Sequence, residues 1–106
     1  MAWVYLLIAG ALEVVWAYSM KESHGFTRLW PTVITWVTMF ISFWFLSIAM
    51  KELPLGTSYV IWTGIGAVGS FILGIVLLGE PATALRLIAV CLIVSGLLLL
   101  KFATPS

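Results

Sequence analysis

One acidic residue stands in the middle of a long apolar run. Residues 1–20 carry a single charge, Glu13, within the segment GALEVVWA (10–17). Holding an ionised carboxylate at the centre of a membrane helix costs roughly 2.5–3.5 kcal/mol on insertion scales, and such residues usually serve a proton, an ion or a substrate. No Lys or Arg lies at a similar depth in the apolar runs. The counter-charge must therefore be a proton or a bound cation. The competing reading is a protonated Glu held by a neighbouring helix for structure alone. At helical spacing Glu13 shares a face with Ala9, Gly10, Trp16 and Ala17. The small residues let a helix or ligand approach closely. Trp16 can donate an indole N–H to the carboxylate or present its ring to a cation.

Further polar groups recur in the later apolar runs. Thr35, Thr38 and Ser42 fall on one face. Such hydroxyls often bond back to their own helix, but Ser42 is at mid-depth, where it could meet Glu13. Tyr59, Trp62 and Thr63 form a second face, aromatic with polar tips. From Trp62 that face continues as Gly66, Ser70 and Gly74, a small-residue stripe suited to tight helix contact. Gly64, Gly66 and Gly69 read either as a flexing point or as close-packing positions. Cys91, Ser95 and Gly96 form another small-residue seam, read as a helix–helix interface.

Catalytic machinery is not visible. The single cysteine, Cys91, and the single histidine, His24, can build neither a disulfide within the chain nor a metal site. There is no Ser/His/Asp set, phosphate loop or paired-carboxylate motif. The expectation is a protein that is not an enzyme and holds no metal.

The elements that must position these residues follow from composition. Of 106 residues 63% are hydrophobic and 8% charged, with a formal charge of +1 and a mean hydropathy of +1.20. A soluble domain is about 25% charged, so a soluble globular fold is excluded, and so is disorder. No basic patch is present for a nucleic acid. Charges and turn residues divide the chain into apolar runs at 1–20, 29–50, 57–78 and 87–100, separated by KESHGFTR, by Lys51 to Gly56 and by Gly79 to Arg86. A bilayer core about 30 Å thick needs roughly 20 helical residues. The fourth run is short between its flanking charges and spans if its helix begins near Thr83 and Arg86 and Lys101 snorkel. The expected fold is an all-α integral membrane protein: a single four-helix domain over 1–106, with helices about 2–20, 30–50, 57–78 and 83–102. The first run lacks a basic leader region and carries Glu13 and Trp16, so it is read as a span and not a cleaved signal.

Orientation is nearly unbiased. The N-terminus, the 51–56 turn and the C-terminus share one side, with Lys51 and Lys101; the other side carries Lys21, Arg28 and Arg86. Two against three sets no firm direction: either one charge suffices, or chains insert both ways. Four helices also leave little interior for a solute path. A homodimer is the more plausible transport unit, and an antiparallel one would supply the inverted halves used in alternating access.

The segments GALEVVWA (10–17), HGFTRLWP (24–31), LPLGTSYVIWTGIGAVG (53–69) and LLGEP (77–81) resemble, in this order, the small multidrug resistance family of bacterial exporters, over essentially the whole chain. Trp16, IWTGIGAVG and Lys101 resemble its guanidinium-exporter subtype. The resemblance implies an antiparallel, dual-topology homodimer in the bacterial cytoplasmic membrane, with fourth helices carrying much of the contact. It implies a shared pair of Glu13 residues binding either protons or the cation, lined by Trp16, Ser42, Tyr59 and Trp62, with Gly10 making room and Lys101 typical of the subtype. It implies proton-coupled guanidinium export without a cofactor, the proton gradient supplying the energy, with guanidinium, protons, lipid and a second copy as partners. Two alternatives stand beside this: a broad exporter of lipophilic or quaternary-ammonium cations, and a non-transporting membrane subunit.

Overall fold

The computed structural model describes residues 1–104 and consists of four helices in chain order: α1 (Ala2–Glu22), α2 (Leu29–Ala49), α3 (Leu55–Leu78) and α4 (Ala84–Ala103). Their lengths are 21, 21, 24 and 20 residues. At about 1.5 Å per residue each reaches roughly 30 Å or more, the thickness of a bilayer core. All four are apolar enough to cross a membrane. A helix suits this solvent because it satisfies every backbone donor and acceptor internally. The structure places Thr83 before α4 as its cap, accepting from the Arg86 N–H at 3.3 Å.

The turns use side chains and left-handed backbone to close over a few residues. After α1, Ser23 donates from Oγ to the Met20 carbonyl at 2.6 Å and accepts from the Phe26 N–H at 3.0 Å. His24, Gly25 and Phe26 all have positive φ (49°, 74° and 65°). This left-handed run throws the Phe26 ring onto Trp36, 5.9 Å between centroids. After α3, Gly79 is left-handed (φ 69°) and the Glu80 N–H closes onto the Gly74 carbonyl at 3.0 Å. A left-handed glycine thus ends the helix, and the Gly74 carbonyl is satisfied from beyond it.

The core lies where α1 meets α2 and α3. Leu6, Ala9, Leu46, Ala49, Ile61 and Trp62 are buried there. Outward faces carry large apolar side chains such as Trp30, Trp44 and Phe40, as expected where lipid is the solvent. The backbone of α4 packs against α3, and none of its residues is buried. An apolar groove of about 790 Å³ separates the two, lined among others by Tyr59, Gly64, Gly96 and Leu97. The molecule is a slab of 42 × 35 × 16 Å. A backbone thickness of 16 Å is about two packed helix layers, which leaves a single chain no room to surround a solute.

Candidate functional site

Glu13 sits half-buried at mid-height of α1, pressed against Gly66 of α3. A Cβ on Gly66 would collide with the Glu13 carboxyl group. Helix α3 therefore carries a notch shaped by the absence of a side chain, and the carboxylate occupies it. Its Oε1 atom is buried and has no hydrogen-bond partner. Trp16, one turn along, likewise has a buried indole N–H without a partner. The indole expected to donate to the carboxylate does not do so here.

Ser42 is fully buried, and its hydroxyl joins three helices. It donates to the Ala9 carbonyl of α1 at 2.7 Å and accepts from the Trp62 indole N–H of α3 at 3.1 Å. The expected meeting of Ser42 with Glu13 is replaced by this relay. The acceptor is nevertheless the carbonyl four residues before Glu13, the one to which the Glu13 amide is directed in an α-helix. Thr35 and Thr38 bond back to Pro31 and Ile34 of their own helix, at 2.7 and 2.6 Å. Ser42 departs from that habit because α1 comes within reach.

Trp62 stacks on Tyr59 (5.6 Å, 26°) and meets Phe43 edge-on (5.8 Å, 62°). Trp62 is buried while Tyr59 is about half exposed, so the stack runs from the relay to the open face of α3. Phe43 was not anticipated from the sequence; its position directly after Ser42 was the available signal. Ser42, Tyr59 and Trp62 thus form one connected group, and Glu13 stands on the neighbouring Gly66 notch.

The glycines act as seats. Gly10, expected to make room for a ligand, makes room for Ile65, whose side chain a Cβ would strike. Gly64 seats Leu97 of α4, and Gly69 seats Val14 of α1. Helix α3 runs unbroken through all three of its central glycines. Lys101, whose role the sequence left open, holds its Nζ 4.9 Å from the Trp3 ring centroid and 5.8 Å from that of Phe102. Both are cation–π distances that anchor a charge at a helix end. Gly96 has open space above it, and Cys91 and Ser95 are exposed. The seam of small residues on α4 therefore faces outward.

Comparison with known proteins decides the family. The family model described as Small Multidrug Resistance protein matches residues 1–93. The chain belongs to the small multidrug resistance family. The match contains Glu13, Trp16, Ser42, Tyr59 and Trp62, and Lys101 lies beyond it. Proteins named guanidinium exporter from Yersinia pestis, Salmonella typhimurium and Escherichia coli K12 are each 57% identical over 104 residues. Each alignment covers 98% of this chain and 99–100% of the relative. Four spanning helices and membership of this family make the chain a multi-pass inner-membrane protein and a member of a transporter family, not of an enzyme family.

Proposed function

We propose that the protein exports guanidinium in exchange for protons, with Glu13 as the group that binds one or the other. The observation that carries this is the half-buried carboxylate on the Gly66 notch, one oxygen of which has no partner within the chain. Guanidinium is a planar cation whose N–H groups pair with a carboxylate in parallel. It satisfies the bare oxygen and the charge at once. A proton neutralises the same charge, so the two ligands exclude one another. Binding a proton removes the counter-charge and releases the cation. The 57% identity to proteins named guanidinium exporter supports this substrate over a generic lipophilic cation.

The working unit is an antiparallel homodimer. The slab is too thin to enclose a path, α4 presents an unburied face, and the loop charges are nearly balanced. Two chains related by inverted topology expose the Glu13 pair to one side and then the other by rocking, which is alternating access.

Purified protein in liposomes, given guanidinium while internal pH is followed, tests the reading. Guanidinium-driven proton movement, without a comparable response to a tetraalkylammonium ion, is the expected result. A response to both points to the broad-cation alternative. No response to either, from folded protein, overturns the transport reading.

A further inference from the structure

A second carboxylate also sits on a glycine of α3. The Glu80 side chain folds back over Gly74, where a Cβ would strike it. Arg86, in the first turn of α4, reaches back to the same spot. Its Nη2 lies 3.6 Å from Glu80 Oε1, its Nη1 donates to the Pro81 carbonyl at 2.6 Å, and its Cζ stands 4.9 Å from the centroid of the Phe71 ring.

These partners make up a receptor for a planar guanidinium group: a carboxylate for the charge, a carbonyl for an N–H, and an aromatic face for the flat cation. The group now held there is the head of Arg86 itself. Its hold is loose. The two side chains are 36% and 40% exposed, and the pair has one close approach, without bidentate geometry. A pair this exposed contributes little, and a tethered group competes at an effective concentration of about millimolar. Beside Glu80, between α1 and α3, lies a void of about 150 Å³ bordered by Ala17, Lys21, Ser70 and Gly74. It borders Ser70 and Gly74, the last two members of the stripe whose first member, Gly66, seats Glu13. The two carboxylates' seats are eight residues apart, about 12 Å along the helix.

We infer that Glu80, Phe71 and the Pro81 carbonyl form a second guanidinium-binding site at the membrane surface, occupied by Arg86 until a free guanidinium compound replaces it. Its physiological ligand rests on the export reading above; its geometry does not. The site is an outer station that gathers substrate at one end of the α1/α3 void.

The test is run where the central site is disabled. Carbon-13 guanidinium is titrated into purified Glu13→Gln protein at constant ionic strength, and line broadening of the free ion reports binding. Saturable binding in the millimolar range is expected. Adding Arg86→Ala removes the tethered competitor and tightens binding about tenfold. Adding Glu80→Gln to that pair abolishes saturable binding. No saturable binding in the Glu13→Gln, Arg86→Ala protein, or binding indifferent to Glu80→Gln, overturns the proposal. Should these combinations fail to fold, Glu80→Gln alone is measured in liposomes. It should raise the KM for guanidinium several-fold with kcat unchanged, and an unaltered KM overturns the proposal. Loss of the export reading would show separately, as absence of guanidinium-driven proton movement in the unmodified protein, and leaves the titration interpretable.

Discussion

At the scale of single residues, the site is defined as much by missing side chains as by present ones. Glu13→Gln keeps shape and polarity but cannot exchange a proton, so proton movement on adding guanidinium should vanish in liposomes while helix content by circular dichroism is kept. Gly66→Ala places a methyl where the Glu13 carboxyl group lies. It should displace that group and cut transport at least tenfold, and transport at the unmodified rate would show that the notch does not matter. Ser42→Ala breaks the link to Ala9 and strands the Trp62 N–H. Interhelical hydrogen bonds in membranes are worth about 0.5–2 kcal/mol, so a loss of stability in that range is expected by unfolding in mixed micelles. In the proposed exchange, protons and guanidinium compete for one carboxylate. Apparent affinity for guanidinium should therefore weaken as pH falls, because the protonated form carries no charge to pair with the cation; a KM that is flat with pH would contradict the exchange. Glu13 could be picked out from sequence alone because a lone charge in an apolar run is costly to bury, so even its structural reading demands a proton and a partner. The Ser42 relay could not, because hydroxyl spacing gives a face but not which neighbouring helix comes within reach of it.

At the scale of elements, α3 is the organising helix. Its glycines receive Glu13, Val14, Leu97 and Glu80 from three directions, which accounts for four of the five glycines in a helix where each would be poor in isolation. The glycine-rich segment could be read as a hinge or as a packing surface. The structure fills each notch with an identified partner, information that no periodicity contains, since the partners come from α1, α4 and the turn before α4. Helix existence was legible from apolar length and the charge breaks. The caps were less so: Thr83 lies outside α4 because its hydroxyl accepts from the first turn. Helix α4 invites a direct prediction. Gly96 has open space above it in a single chain, so Gly96→Leu should leave the monomer folded. If a second copy packs on this face, the same change should shift the chain from dimer to monomer in cross-linking experiments; unchanged cross-linking would remove α4 from the interface.

At the scale of the whole molecule, a 16 Å slab has little room for a solute path, and its nearly balanced loop charges specify no firm direction. Glu22→Lys combined with His24→Lys raises the basic count on that side from three to five against two on the other. It should force one orientation, read by the accessibility of a C-terminal tag, and should abolish transport unless a chain biased the opposite way is supplied. Full activity from uniformly oriented chains would contradict the antiparallel unit. The isolation of α4 also bears on how the molecule is made. Helices α1, α2 and α3 bury their residues against one another, and α4 packs mainly on the helix that precedes it, with Lys101 reaching Trp3 of α1. A ribosome delivers α4 last. The three-helix body can settle before the groove-bearing edge exists, so the surface most exposed to wrong encounters is withheld from nascent chains until synthesis is nearly finished.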